Sequence, residues 1–380
     1  MNNQVSSLVA LLAFLNLTVA SAADPVPRRV ENFNRDWKFA KGAQVGAEVV
    51  NFNDAAWLPV RPPHDWAISG PYEPQGDPHT GKLPWRGEGW YRKSFTLPST
   101  VAGKRVYLDF DGVMAMPTVY INGQKAGGWD YGYMSFRVDA TGFVRAGQSN
   151  VVAVHVDTRQ HNSRWYPGAG IYRKVQLVVN EPVHLAQWGT FVTTPQVTGD
   201  SATIRVENTL ENHTDSATTP EVETTLLDPK RKEVAKLRMS FTVPANGLQR
   251  GVATITIGKP QLWDIKTPRL YTAVTRVFVN GKLADLTETP FGIRTFEFTA
   301  SDGFHLNGRR VQLHGVCLHS DLGPLGMAFN VRAMERELQI MQDMGVNAVR
   351  TSHNPPAPEL LDMCDRMGIL VWDEAFDKWD

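Results

Sequence analysis

The chain has 380 residues, of which 42% are apolar and 21% charged, and its 39 basic residues balance its 39 acidic ones. This length accommodates two or three domains with hydrophobic cores, and the apolar fraction excludes a disordered chain. A net charge of zero argues against a nucleic acid or an anionic membrane surface as the main partner, because both select basic patches. Two cysteines cannot build a disulfide scaffold, so side-chain packing has to hold the fold together.

Residues 1–23 are predicted to be a signal peptide. The run from Val5 to Leu17 is largely apolar and uncharged, and it is too short to span a bilayer comfortably. It leads into Ala20-Ser21-Ala22-Ala23, small residues of the kind that a signal peptidase requires. No later run approaches 18 apolar residues. We therefore expect a secreted or periplasmic protein without a membrane span.

Residues 24–182 have the pattern of a β-sandwich of the jelly-roll type. Short segments such as 106–111, 119–122 and 151–156 alternate with a period of two, and Asn122-Gly123 is typical of a hairpin turn. No helical period of useful length interrupts them. The loops between the strands are long and rich in aromatic residues, notably at 63–66 and 83–86. Loops of this kind on a rigid sandwich often carry binding residues.

Residues 183–290 continue with a second β pattern. Strands are predicted at 202–206, 221–227, 252–257 and 272–279, and Asn280-Gly281 marks another turn. About seven short strands in a segment of this length suit an immunoglobulin-like sandwich. We expect this domain to act as a structural spacer.

Residues 291–380 change to an alternation of strands and helices. Strands are predicted at 311–319, 347–352 and 369–374. Asn330 is a good N-cap for a helix that ends at Gly345, and Pro358 opens a second helix that ends at Gly368. This order is the start of a parallel α/β domain. The predicted fold class is therefore multi-domain β plus α/β.

Polar residues follow each of these three strands. His319 ends the first, Ser352-His353-Asn354 ends the second and Asp373-Glu374 ends the third. Because the carboxyl ends of parallel barrel strands share one rim, these side chains are expected to converge there. The alternative is that each group caps its own strand-to-helix turn.

Other kinds of site find less support. Cys317 and His319 share a strand face and could join His353 at a zinc ion, but the sequence has no CxxC, HExxH or paired-cysteine spacing. We expect Cys317 and Cys364 to be ordinary buried thiols. Phosphate-loop, GxSxG and dinucleotide-binding motifs are absent from the sequence. Four tryptophans, Trp85, Trp90, Trp129 and Trp165, could stack on sugar rings or pack in a core.

Several long motifs, in the same order along the chain, resemble glycoside hydrolase family 2. They are His64-Asp-Trp66, Gly89-Trp-Tyr-Arg92, Arg164-Trp-Tyr-Pro-Gly-Ala-Gly-Ile-Tyr-Arg173, Phe291-Gly-Ile-Arg-Thr295, Phe304-His-Leu-Asn-Gly308, Leu313-His-Gly-Val316, Asn347-Ala-Val-Arg-Thr-Ser-His-Asn-Pro-Pro356 and Leu361-Asp-Met-Cys-Asp-Arg-Met-Gly-Ile-Leu-Val-Trp-Asp-Glu-Ala375. The resemblance implies a sugar-binding jelly roll, an immunoglobulin-like domain and then the first three βα units of a TIM barrel.

The resemblance also implies a retaining β-glycosidase, and the residues of the barrel motifs are most similar to those of bacterial β-galactosidases. Members of the family also include β-glucuronidases and β-mannosidases. Their two catalytic glutamates lie on barrel strands after the third, which places both beyond residue 380. We therefore expect no catalytic residue in this chain and no hydrolysis by the chain alone. The rival class is a non-catalytic carbohydrate-binding protein.

The resemblance carries over to individual residues. His319 and His353 match histidines that contact the sugar, and Asn354 beside His353 is a further candidate for substrate binding. Asn162 lies roughly where a jelly-roll loop of some galactosidases reaches a sugar hydroxyl.

Two further residues match a family pair with a supporting role. Asp373 and Glu374 are expected to support the sugar-contacting residues, and Glu374 is not the acid/base. Some relatives bind magnesium just beyond this point, but Lys378 stands where an acidic ligand is expected. We therefore expect no metal and no cofactor, a carbohydrate as the partner, and a possible oligomer of the full-length protein.

Overall fold

A computed structural model describes residues 27–161 and 163–376. The predicted signal peptide at 1–23, Asn162 and Lys378 lie outside these ranges. Within the described ranges, every helix is too short or too polar to cross a membrane.

The first domain is a sandwich of two antiparallel sheets, as predicted. One sheet has the order β1-β10-β5-β8 and the other β3-β2-β4-β9-β6-β7. The strands are β1 (Arg29–Asn32), β2 (Trp37–Lys41), β3 (Leu58–Val60), β4 (Glu88–Thr96), β5 (Arg105–Phe110), β6 (Thr118–Ile121), β7 (Gln124–Gly128), β8 (Phe136–Asp139), β9 (Ser149–Asp157) and β10 (Val175–Asn180).

The predicted hairpin turn joins β6 to β7. Both of its central residues have positive φ, 51° at Asn122 and 84° at Gly123, which suits the right-handed twist of the two strands. Alternate residues of the two sheets, such as Leu108 and Val154, meet in one fully buried core. The rigid core leaves the long loops at the end of the sandwich to carry polar and aromatic groups.

The second domain is also a two-sheet sandwich, with the orders β11-β12-β15 and β14-β13-β16-β17. Its strands are β11 (Val183–Val197), β12 (Ser201–Asn212), β13 (Glu221–Leu227), β14 (Glu233–Ser240), β15 (Gly247–Gly258), β16 (Leu270–Val279) and β17 (Lys282–Gly292). The expectation of about seven strands in this fully described segment is confirmed, but β11 is 15 residues long rather than short. Register shifts after Leu185 and Thr193 let β11 bend and remain paired along that length.

The third segment begins with a small antiparallel sheet and continues with a parallel one. The antiparallel strands are β18 (Phe296–Thr299), β19 (Gly303–Leu306) and β20 (Arg309–Arg310). The parallel sheet has the order β21-β22-β23, built from β21 (Gly315–Leu318), β22 (Ala348–Thr351) and β23 (Leu370–Trp372). The helices α1 (Val331–Asp343) and α2 (Pro358–Met367) connect these strands. The predicted parallel start of a barrel is confirmed.

The strand predicted over 311–319 is wrong in its first half. The side chain of Asn347 occupies the edge there: its Nδ2 donates to the carbonyl of Gln312, and its Oδ1 accepts from the N–H of His314, both at 2.9 Å. Because a side chain satisfies these backbone groups, a ladder begins only at Gly315, which pairs with Ala348.

Local signals place both helix ends as predicted. Asn330 Oδ1 accepts from the N–H of Ala333 at 3.0 Å, which caps α1. At its other end Gly345 has a φ of 90°, and the N–H of Val346 reaches the carbonyl of Met341 at 3.0 Å. This is a Schellman ending, and only a residue that tolerates positive φ completes it without strain.

The jelly roll packs directly against the loops of the parallel segment. Arg173 Nη2 donates to the carbonyl of Pro355 at 2.8 Å, and Lys174 Nζ lies 2.9 Å from a carboxylate oxygen of Glu359. The N–H of Phe329 donates to the carbonyl of Tyr172 at 2.9 Å. These contacts bring the aromatic loops of the first domain to the carboxyl ends of the parallel strands.

Candidate functional site

The parallel strands deliver their polar ends to one rim. Leu318 pairs with Thr351, and Arg350 pairs with Trp372, so the residues that follow each strand emerge side by side. Rings of His319 and His353 lie 6.2 Å apart between centroids, at an interplanar angle of 80°. The convergence expected for these two histidines is observed.

A tryptophan from the jelly roll completes this cluster. The ring of Trp165 lies edge-on to His319 at 4.9 Å between centroids, and His79 lies 5.7 Å beyond Trp165. Partial burial lowers the pKa of His319, which favours the neutral imidazole. The result is a surface of flat rings and imidazole nitrogen atoms, suited to a ligand with an apolar face and many hydroxyl groups.

Glu374 holds His353 and Arg350 in place from the neighbouring strand end. Its Oε2 accepts from Nδ1 of His353 at 2.7 Å, and its Oε1 accepts from Nε of Arg350 at 2.7 Å. Partial burial acts to raise the pKa of Glu374, but these two hydrogen bonds outweigh it and hold the pKa below its ordinary value. Because the carboxylate directs Nδ1–H of His353 toward itself, Nε2 is the nitrogen left for a ligand.

The remaining predicted residues have structural partners. Asp373 Oδ1 accepts from Thr351 Oγ1 at 3.0 Å, and the same hydroxyl accepts from the N–H of Glu374 at 3.1 Å. Asn354 is buried, and its Oδ1 accepts from Ser320 Oγ at 3.1 Å. The carbonyl oxygen of Asn354 is thus engaged in joining two strand ends.

Asp65 connects the two domains at this site, and the sequence analysis did not single it out. Its Oδ1 accepts from the N–H groups of Ala67 and Ala169, each at 3.1 Å. Its Oδ2 accepts from Tyr166 Oη at 2.6 Å and from the N–H of Met327 at 2.9 Å. Burial raises the pKa of Asp65, and the four hydrogen bonds offset part of that rise.

Asp65 therefore fixes the loop that carries Trp165 through Tyr166 and Ala169, and it ties that loop to the third segment through Met327. Two glycines leave room for this arrangement. A Cβ at Gly168 would lie 2.4 Å from Met327 Cγ, and one at Gly326 would lie 2.5 Å from Asp65 Oδ2. The available signal in the sequence was the His64-Asp65-Trp66 motif, but three of the four partners of Asp65 are more than 100 residues away in the chain.

The expectation that both cysteines are buried is wrong for Cys317. Cys364 is buried in the helix-packed core, whereas Cys317 is exposed on the opposite face of the parallel sheet. Arg350 Nη1 donates to Cys317 Sγ at 3.4 Å and lowers the pKa of the thiol. Among the described residues, Cys317, His319 and His353 do not form a group of mutually close metal ligands, which argues against zinc at this rim.

Three family profiles match successive parts of the chain. Residues 80–182 match the sugar binding domain of glycosyl hydrolases family 2, residues 183–294 match the following domain of the same family, and residues 298–377 match its TIM barrel domain. The domains occur in the order that the sequence motifs imply.

Individual relatives and solved structures agree with the profiles. A beta-galactosidase of Bacteroides ovatus is 47% identical over 93% of this chain and 42% of its own length, and a putative beta-glucuronidase of Formosa agariphila is 34% identical over 93% and 34%. A crystal structure of a glycosyl hydrolase family 2 member from Bacteroides cellulosilyticus superposes with a TM-score of 0.88, at 36% identity, over 92% of this chain and 46% of that one.

The chain thus spans less than half the length of these relatives. Its two sandwiches and the parallel βαβαβ segment are nevertheless matched almost throughout. The resemblance drawn from the motifs is confirmed: this chain belongs to glycoside hydrolase family 2.

Proposed function

We propose that the chain provides the sugar-binding part of the active site of a retaining β-galactosidase. The observation that carries this proposal is the meeting of Trp165 with His319 and His353 at the carboxyl ends of the parallel strands. A ring face and imidazole nitrogens at one rim can hold the apolar face and the hydroxyl groups of a terminal sugar.

Each group has a distinct role in the proposed reaction. Trp165 packs against the sugar ring, while His319 and His353 hydrogen-bond to its hydroxyl groups. Glu374 keeps the Nε2 lone pair of His353 available, because it accepts the proton on Nδ1. Double displacement further requires two carboxyl groups about 5 Å apart, one as acid/base and one as nucleophile. By family resemblance, these are two glutamates on barrel strands after the third.

Galactose is proposed as the terminal sugar because the relative that is 47% identical is a beta-galactosidase. Relatives of 34% and 31% identity are a putative and a named beta-glucuronidase, which makes glucuronides the second candidate. A glucuronide would bring a carboxylate to the site, whereas a galactoside is neutral.

The test compares aryl β-galactosides, β-glucuronides and β-mannosides with the natural protein purified from its source. We expect turnover of the galactoside with retention of the anomeric configuration, followed by NMR of the first product formed. The 380 residues alone are expected to bind galactose without cleaving the glycoside. Faster turnover of the glucuronide than of the galactoside would contradict the galactosidase and favour a β-glucuronidase. Sugar binding without turnover of any of the three by the natural protein would favour a carbohydrate-binding protein.

We also propose that the protein is exported to the periplasm or secreted. The support is the composition of residues 1–23, which have an apolar centre and small residues before the expected cleavage site. Amino-terminal sequencing of protein from the native cells is expected to begin at Asp24. Recovery of intact protein from the cytoplasm would contradict export.

A further inference from the structure

A cluster of metal-ligating side chains lies far from the proposed active site, at the joint between the two sandwiches. His184 of β11, Glu211 of β12 and His213 form it, and their ligand atoms all lie within 4.8 Å of one another. His184 and Glu211 are directly paired across the two strands. Tyr107 of β5 in the jelly roll reaches the same point, so both domains contribute to the cluster.

The hydrogen-bonding pattern leaves lone pairs facing one another. Nδ1 of His184 lies 2.7 Å from the carbonyl oxygen of Glu181, and because a carbonyl only accepts, Nδ1 carries a proton. In the neutral imidazole, Nε2 is then an acceptor. Yet Nε2 lies 3.4 Å from a carboxylate oxygen of Glu211, which is also an acceptor. Tyr107 Oη, 3.3 Å from Nε2, can donate to the nitrogen, but a proton or a cation shared by both acceptors would satisfy them together.

A proton on Nε2 of His184 is the first possibility, and a metal ion is the second. His184 is fully buried, so an imidazolium there carries the cost of removing a charge from water. A second imidazole is also present: Nε2 of His213 lies 3.0 Å from the same oxygen of Glu211. Two imidazoles that converge with their Nε2 atoms on one carboxylate oxygen form a common donor set for a divalent cation.

The separations fit tetrahedral coordination. Zinc binds histidine nitrogen and carboxylate oxygen at about 2.0–2.1 Å, so adjacent ligand atoms around it are about 3.3 Å apart. The two distances from the imidazoles to Glu211 are 3.4 and 3.0 Å. Tyr107 Oη lies 3.3 Å from Nε2 of His184 and 3.3 Å from Nε2 of His213. These four separations are all close to the edge length of a zinc tetrahedron.

The surroundings of the cluster also suit a metal ion. The bond from His184 Nδ1 to the carbonyl of Glu181 is the outer contact that metal-binding histidines usually make, since it orients the ring and selects Nε2 as the ligand. Arg105 is paired with Asp139, and its Nε also donates to Tyr107 Oη at 3.4 Å, which leaves the second lone pair of that oxygen for the cluster.

We propose that His184, Glu211 and His213 bind one Zn²⁺ ion, with the hydroxyl of Tyr107 at the fourth corner. The ion would link the jelly roll to the second sandwich and restrain the angle between them. This site is structural in kind, because protein groups occupy every corner and leave no open position for a substrate.

The experiment is equilibrium dialysis of the 380-residue chain against Zn²⁺ after treatment with a chelator, with the bound metal counted by atomic emission. We expect one tightly bound Zn²⁺ per chain and a higher midpoint of thermal unfolding in its presence. Co²⁺ in place of Zn²⁺ is expected to give the intense visible absorption of a tetrahedral site.

Two ligand variants and one control make the test specific. His213→Gln and Glu211→Gln are each expected to weaken Zn²⁺ binding by at least about 100-fold, because loss of an outer contact alone costs about 10- to 100-fold. His155→Gln removes a histidine whose Nε2 is paired with Glu88 at 3.0 Å elsewhere in the jelly roll, and it should bind Zn²⁺ like the parent.

Each variant is compared by circular dichroism, and Glu211→Gln keeps the size of the side chain should the histidine variant fail to fold. Stoichiometric binding that survives in Glu211→Gln, or no uptake of Zn²⁺ by the parent chain, would overturn the proposal. In the latter case the cluster holds a proton instead of a metal.

Discussion

Asp65→Asn is expected to lower the free energy of unfolding by about 1–3 kcal/mol, the cost of leaving one buried donor without an acceptor. All four groups around the Asp65 carboxylate are donors. An asparagine amide offers only one oxygen, so its NH₂ group must replace one carboxylate oxygen. Tyr166 can rotate its hydroxyl to accept from that NH₂ group, but the N–H of Met327 cannot, and it is left buried without an acceptor.

The measurement is urea unfolding at neutral pH followed by tryptophan fluorescence. Asp77→Asn is the matched control, because Asp77 lies in a neighbouring loop, is exposed, and accepts from the N–H of His79 at 2.9 Å. Asparagine serves in that capping position about as well as aspartate, so the control should change the free energy by less than about 0.5 kcal/mol. Equal midpoints for Asp65→Asn and the parent would show that the hydrogen bonds to this carboxylate do not stabilise the fold.

Glu374→Gln is expected to lower kcat/KM for an aryl β-galactoside by about 100-fold in the natural protein, the loss typical of a misplaced binding group. The carboxylate accepts from His353 and Arg350 at once. In the glutamine variant the amide oxygen faces Arg350, which has only donors, and the NH₂ group must donate to Nδ1 of His353. The proton of His353 then moves to Nε2, so a substrate hydroxyl group meets a donor where it previously met a lone pair.

The control for this variant is Glu335→Gln on α1, where Glu335 forms an exposed pair with Arg332 at 2.6 Å. Such pairs contribute little, so its kinetics should match the parent. The pH dependence of kcat/KM separates the proposed role from simple damage, because a changed tautomer of His353 alters the profile while a loss of folded protein only scales it. An unaltered rate and profile in Glu374→Gln would show that Glu374 does not position His353.

Features that depend on neighbours in the chain could be predicted from the sequence. The turn at Asn122-Gly123 needs two residues that tolerate positive φ, and the ends of α1 need a cap at Asn330 and a glycine at Gly345. Each requirement is satisfied within a few residues. The meeting of His319 and His353 was also predictable, since parallel strands deliver their carboxyl ends to one rim.

Features that depend on distant partners could not be predicted in this way. The strand expected from residue 311 is displaced by the side chain of Asn347, which lies 35 residues from Gln312 in sequence. Cys317 stands between the apolar residues Val316 and Leu318, as a core residue often does. Its side chain is nevertheless exposed on the face of the sheet opposite to the helices.

The family, the order of strands and helices, and the rim at which the histidines meet could all be inferred from the sequence, because they follow from local conformational preference and from motif order. The role of Asp65 depends on the folded arrangement of the chain, since Met327 is 262 residues away from it in sequence. The same holds for the joint, where Tyr107 meets His213 from 106 residues away. A buried polar group needs hydrogen-bond partners, and folding can bring these from any part of the chain. The residues next to such a group in the sequence therefore do not indicate which partners it will have.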